Sequence, residues 1–169
     1  MGQSPSSASY NFNGNGIPLI QGNADLKNRV SSPRSWTTEA TKECIIGDLI
    51  LTVRAPVGAV AKSIHNACIG RGVCAIRNNT TSSNEFIYQI LLDHETKWSI
   101  LEQGSTFTAV SGAEIKKINI NIPPYDEQND EQTKIGNYFQ KLDKFIDLQQ
   151  KELKKLKNIK KASLEKMFV

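Results

Sequence analysis

The stretch Asn121-Ile122-Pro123-Pro124-Tyr125 nearly spells a methyl-transfer motif. In an (Asn/Asp)-Pro-Pro-(Tyr/Phe) sequence the Asn or Asp holds a target amine, and the aromatic ring stacks on a base swung out of its helix. Here Ile122 interrupts the pattern. Such an enzyme also needs a glycine-rich turn that follows a strand and opens a helix to hold its cofactor. The stretches GNG, GRG and APVG do not open helices. The sequence therefore reads Pro123-Pro124 as a strand-to-helix junction, where prolines are comfortable. Metal and disulfide chemistry have no better support. Cys44, Cys68 and Cys74 are odd in number and lack CxxC spacing, and His65 and His94 read as surface or packing residues. Free thiols favour a reducing, cytoplasmic setting.

The elements that would position any site divide at the double proline. Before it, β signals dominate. Residues 48–54 (DLILTVR) and 59–64 (AVAKSI) flank Ala55-Pro56-Val57-Gly58 and predict a hairpin with a four-residue loop. A further strand is expected over 72–77, a polar loop over 78–85, and one or two sheet-packed helices over 85–103. Residues 104–112 read as a polar loop. Ile115, Ile118, Ile120 and Ile122 predict a last strand over 114–123, ended by Pro123. Trp36 and Trp98 are expected in the core.

After Pro124 the period changes. Asp126 or Asn129 is placed to cap a helix. Ile135, Phe139, Leu142, Ile146, Gln149, Leu153 and Leu156 recur at steps of four and three, and the series continues through Lys160, Ser163 and Met167. A helix over 127–167 would be about 60 Å long at about 1.5 Å per residue. A head of this size cannot bury so long a stripe, so the spacing predicts a coiled-coil seam with another helix. Polar Gln149 and Lys160 within the seam would fix register and partner. The sequence is thus expected to be α+β, with a mixed or antiparallel β domain over 1–124 and a long helix over 125–169.

The net charge of +4 is unevenly distributed. Residues 126–133 hold four acids and no base, and residues 134–169 hold ten lysines against four acids. That order complements the helix dipole, and the same lysines suit phosphate contacts. No apolar run approaches the roughly 20 residues that span a bilayer. The polar amino terminus lacks the apolar stretch of a signal peptide.

The ordered set MGQSPSSASYN, GIPLIQGNADL, LTVRAPVGAVA, IGRGVCAI, GSTFTAVSGAEIKKINI, IPPYDEQ and IGNYFQKLDKFIDLQQKELKKLKNIKKASLEKMF resembles the DNA-specificity subunit of type I restriction–modification systems. The resemblance implies a non-catalytic reader of double-stranded DNA. It implies recognition domains each followed by a long helix, with the helices paired antiparallel as a spacer. It also implies docking of methyltransferase subunits, which bind S-adenosylmethionine, and of a restriction (motor) subunit in the full complex. No cofactor is expected in this chain. One recognition domain and one helix make half such a subunit, so the long helix is expected to form an intermolecular antiparallel coiled coil in a homodimer that reads a palindromic split site. Family domains usually carry a strand-forming segment upstream of the MGQSP loop. A missing edge strand, a fragment or an internal start is therefore expected.

A reader needs polar side chains on loops over a rigid scaffold, with cations for phosphates. The amino-terminal loop offers Gln3, Ser4, Ser6, Ser7, Tyr10 and Asn11, and Gln21 and Asn23 follow. Gln pairs bidentately with adenine, and Arg with guanine or a phosphate, which singles out Arg54 and Arg71. The glycines beside Arg71 would let its backbone approach a ligand. Ser105, Thr106, Thr108 and Ser111 complete the set. Two other classes compete: a small adenine methyltransferase using Asn121 to Tyr125, and a coiled-coil adaptor whose β domain binds protein.

Overall fold

The computed structural model describes residues 1–79, 81–104, 109–124 and 130–168. Among the described residues, ten short strands form two five-stranded sheets. The first contains β1 (Tyr10–Asn11), β2 (Ile17–Ile20), β5 (Ser35–Thr37), β6 (Glu43–Cys44) and β9 (Ala67–Ile69), in the order β1-β5-β2-β9-β6. The second contains β3 (Leu26–Lys27), β4 (Val30–Ser31), β7 (Leu49–Thr52), β8 (Val60–Lys62) and β10 (Val73–Ile76), in the order β10-β7-β8-β4-β3. Pairings are antiparallel except β2 with β9 and β4 with β8.

Strand β7 is buried on both faces, which explains why its sequence is apolar without a break. Ile50 points to a cluster of Ile20, Cys44, Ala67, Ile69 and Val73. Leu49, Leu51 and Val53 point to a second cluster with Phe86, Ile87, Leu91 and Trp98 of α1 (Asn84–Gly104). The second sheet is therefore covered by the first sheet on one side and by α1 on the other. Cys44, Cys68 and Cys74 are buried free thiols. Burial pushes the Cys74 thiol up to about 11 and raises that of Cys44 as well, so neither is poised as a nucleophile.

The expected hairpin of β7 and β8 forms, but its connection runs over 53–59 instead of four residues. Buried Thr52 takes over the end of the ladder. Its hydroxyl donates to the Pro56 carbonyl at 2.8 Å and accepts from Ala59 N at 2.9 Å. Residues 85–103 lie in one helix, α1. The expected last strand over 114–123 is instead a short helix, α2 (Gly112–Lys116), with no strand among the described residues that follow. Ser111 and Glu114 form a capping box there. Ile115 and Ile118, three residues apart, both pack on the α1 cluster. That is a helical spacing, and the alternation holds only from Ile118 onward. Trp98 is core, whereas Trp36 is half-buried beside Pro18, Ile64 and His65.

The long helix is α3 (Glu131–Met167). Asp130 caps it, its carboxylate accepting from Thr133 N at 3.0 Å. Asp126 and Asn129, named as caps, lie outside the described residues. The start of the helix packs on the head and the rest is exposed. Gln132 and Gly136 are buried and Ile135 packs on the α1 cluster. From Lys141 onward every described residue of α3 is exposed.

Buried Asp48, at the start of β7, links sheet to turn. Its carboxylate accepts from Arg77 Nε and Nη2, both at 2.8 Å, and from Ile45 N at 2.9 Å. Burial alone would push the carboxyl up, but these donors hold it below the usual carboxylate range. A depressed native pKa stabilises the fold above the ordinary carboxylate pKa of about 4, and the contribution fades as pH falls through the native value. Asp48→Ala is expected to cost about 1–3 kcal/mol at neutral pH, because it strands the Ile45 N–H. It is also expected to flatten the acid limb of the stability–pH curve. Urea titrations at a series of pH values measure both effects.

Candidate nucleic-acid interface

The turn Gly70-Arg71-Gly72 between β9 and β10 gathers four segments of chain. The parallel pairing of β2 with β9, Ile20 opposite Ile69, makes both strands leave the sheet at the same end. Gln21 therefore emerges beside Gly70, whose amide donates to the Ile20 carbonyl at 2.8 Å. The antiparallel register of β7 with β10, Thr52 opposite Val73, brings Arg54 to that end as well. Val53 N donates to the Gly72 carbonyl at 2.9 Å. The amino-terminal segment closes over the turn, with Gly2 N donating to Val73 O at 3.0 Å and Gln3 N to Ile69 O at 2.8 Å. Arg71 N donates to the Ser4 hydroxyl at 3.2 Å. A Cβ at residue 72 would lie 2.1 Å from the Gln21 carbonyl oxygen, so only glycine fits there.

Gln3, Gln21, Arg54 and Arg71, far apart in sequence, thus share one pole of the head. Gln3, Arg54 and Arg71 are exposed; Ser4 and Gln21 are half-buried. The segments 1–4, 20–23, 53–54 and 70–73 carry two arginines and no acid. Asn23 follows on a single helical turn (Asn23–Asp25) and is exposed. Ser111 is tied in through Gly112, where a Cβ would come within 2.9 Å of Met1 Cγ. Its hydroxyl is engaged in capping α2, accepting from Glu114 N at 3.3 Å. Ser6 caps the short helix Ser7–Ser9, and exposed Ser7 opens it. Tyr10 lies on β1 and donates from its hydroxyl to the Pro5 carbonyl at 3.2 Å. Tyr10 thus lies on the edge strand of the first sheet, and among the described residues no hydrogen bond joins these three to the turn. Asn11 braces its own loop, its amide bonding to Asn13 and Asn15. Ser105, Thr106, Thr108 and Tyr125 lie outside the described residues, and Asn121 is exposed.

Sequence reasoning missed two supports of this pole. Buried Asp25 accepts from Gln21 N at 2.9 Å and from Arg34 Nε at 3.0 Å, which fixes the start of the Gln21 loop. A carboxylate four residues after the amide it caps was the available signal. The Thr41 hydroxyl donates to the Gln3 carbonyl, a contact between distant segments with no local signature.

The second surface is the helix. Phe139, Leu142, Ile146, Leu153, Leu156 and Met167 are exposed large apolar residues, and Gln149 is exposed among them. Tyr138, Phe145, Leu148, Ile159 and Leu164 are also exposed and were not counted in the seam. The apolar face is wider than a strict two-helix stripe. None of the described helices is long and apolar enough to cross a membrane.

Residues 1–158 match the family model of the type I restriction modification DNA specificity domain. A protein given as the type I restriction enzyme MjaX specificity subunit of Methanocaldococcus jannaschii is 34% identical over 162 residues, which cover 95% of this chain and 37% of that protein. The crystal structure of the HsdS subunit from Thermoanaerobacter tengcongensis superposes with a TM-score of 0.77 at 31% identity, covering 89% of this chain and 36% of that one. A chain solved in a study of complex assembly and conformational transition of the type I R-M system gives a TM-score of 0.80 at 32% identity, covering 89% of this chain and 37% of that one. The chain thus spans less than two fifths of the length of these relatives. With the family model matched along most of its length, and with the same fold in related specificity subunits, the chain belongs to the type I restriction modification DNA specificity domain family.

Proposed function

We propose that this chain is a non-catalytic DNA reader of a type I restriction–modification complex. Residues 1–124 recognise one half of a split site in double-stranded DNA, and residues 125–169 set the spacing and dock partners. The observation that carries this reading is the convergence of Gln3, Ser4, Gln21, Arg54 and Arg71 on one pole, on segments that carry no acid and are pinned by hydrogen bonds of the backbone. Side chains that read bases must be held in register with phosphate contacts, and a rigid backbone platform supplies that register.

The exposed face of α3 calls for other helices. A second copy fits it antiparallel, about a two-fold axis near Leu153, midway between Phe139 and Met167. Asp143 and Asp147 then come level with the stretch of the second copy that carries Lys160, Lys161 and Lys166. The residual width of the apolar face suits helices of the methyltransferase subunits. Those subunits, working in the cytoplasm, would extrude the adenine and transfer the methyl group from S-adenosylmethionine. A restriction subunit completes the assembly.

Selection from a random DNA pool by the full chain with its methyltransferase partner is expected to return a split palindrome. If no DNA is enriched, the reading fails in favour of an adaptor that binds protein. Arg71→Ala and Arg54→Ala separate base from phosphate contacts. Loss of a bidentate base contact is expected to cost about 1–3 kcal/mol and relax one position of the site. Loss of a phosphate contact weakens all sequences alike and lowers the salt slope by about one. Fluorescence anisotropy with matched and mismatched duplexes across a salt series distinguishes the two.

A further inference from the structure

Gln132 is a polar side chain in the first turn of α3, and it is 2% exposed. Its Oε1 accepts from Ser83 N at 3.0 Å, on the segment that leads into α1. Its Nε2 donates to the Pro123 carbonyl at 2.9 Å and to the Thr81 carbonyl at 3.4 Å. The partners fix the orientation of the amide: the oxygen must face the Ser83 N–H and the nitrogen must face the two carbonyls. One side chain thus ties the start of α3 to both segments that flank it. One turn later, Gly136 lies against the backbone of α1. A Cβ there would be 2.7 Å from Phe86 N and 2.9 Å from the Glu85 carbonyl carbon. Two turns further on, Asp143 accepts from Gln89 Nε2 at 2.8 Å. The contacts of α3 advance along α1 in the same direction; beyond them Asp147, Gln150, Lys151 and Lys154 border a groove with Asn28 and Arg29, and the helix is exposed throughout.

We infer that Gln132 and Gly136 form the joint that fixes the angle between the reading head and its helix, and that this angle helps set the spacing between half-sites. Resting on the proposed function, the inference goes beyond helix length as the ruler. Helix length fixes how far apart two joints lie; the joint fixes where each head points. Trp98, twelve residues beyond Phe86 along α1, packs against Gly58 near Arg54. The lever from joint to reading pole is therefore about 18 Å at about 1.5 Å per residue. A tilt of about 10° displaces each pole by about 3 Å, or about two base pairs over a symmetric pair at about 3.4 Å per base pair. Gln132 and Gly136 are positioning residues and need not touch DNA.

The test uses the full chain with its methyltransferase partner and three forms: wild type, Gly136→Ala and Gln132→Leu. Duplexes carry the half-sites selected by the wild type, with spacers lengthened or shortened one base pair at a time. Gly136→Ala is the main probe, because alanine favours helix more than glycine and does not melt α3. Both variants are expected to keep the half-site sequence. Gly136→Ala is expected to move the preferred spacer by one or two base pairs, and Gln132→Leu to broaden the preference. Electron–electron distance measurements between spin labels on the head and on the exposed part of α3 are expected to shift in Gly136→Ala and to widen in Gln132→Leu. Variants with wild-type label distances would overturn the joint, and a shifted distance with an unchanged spacer preference would overturn its role in spacing. A wild type that selects no split site would instead sink the proposed function, and the label distances would still decide whether the joint exists.

Discussion

Leu153→Asp is expected to leave the chain monomeric. Leu153 is half-exposed on the free part of α3 and lies at the centre of the proposed antiparallel pair. Near a two-fold axis it faces its own copy, so one substitution removes two buried leucines and sets two carboxylates against each other. Burying a leucine contributes about 1.5–3 kcal/mol, so the pair loses about 3–6 kcal/mol before repulsion is counted. That raises the dissociation constant by a factor of about 10² to 10⁴. Sedimentation equilibrium at micromolar concentration measures it. Leu153 belongs to neither buried cluster of the head, so the thermal unfolding of the head should not change, and binding to a single half-site should survive while the gain from the second half-site disappears. A variant that sedimented as the wild type does would remove the seam from consideration.

Leu51→Ala is expected to cost about 2–5 kcal/mol, a large share of the roughly 5–15 kcal/mol that stabilises an ordinary domain. Leu51 is 1% exposed and belongs to the cluster between the second sheet and α1. Deleting its branch leaves a cavity beneath α1, and Ile50 on the opposite face of the same strand is already packed against the first sheet. The strand cannot move to fill one side without opening the other. A lower urea midpoint with an unchanged slope is the expected readout. Because α1 is also the surface on which α3 rests, the loss should appear as weaker protection of α3's first turns in hydrogen exchange.

The strands that the sequence made visible were those buried on one or both faces. Residues 48–54 and 72–77 became β7 and β10 because unbroken or alternating apolar runs have few alternatives in a sheet. The two-residue strands β1, β3, β4 and β6 were not visible, since a pair of residues has no period. The misread segment was 114–123. Four isoleucines suggested alternation, while Ser111 and Glu114 already spelled a helix start, and the local cap prevailed. Gln3, Gln21, Arg54 and Arg71, which the structure brings to one pole, were all legible as residue types. What assembles them was not legible, because it lies in the parallel register of β2 with β9, and parallel pairing between distant strands leaves no local mark. Gln132 and Gly136 were hidden for a similar reason. Glutamine near a helix start reads as solvated, and glycine within a helix reads as a weakness, until the neighbouring helix comes into view.

The pole around Gly70-Arg71-Gly72 is held mainly by main-chain hydrogen bonds: Gly2 to Val73, Gln3 to Ile69, Gly70 to Ile20 and Val53 to Gly72. Such bonds are indifferent to what the side chains are. Residues 3, 21, 54 and 71 can therefore be exchanged with little penalty to folding, provided the glycines stay. If these residues read DNA as proposed, such a scaffold can acquire new target sequences by point substitution, one base preference at a time, and remain folded at every step of that drift.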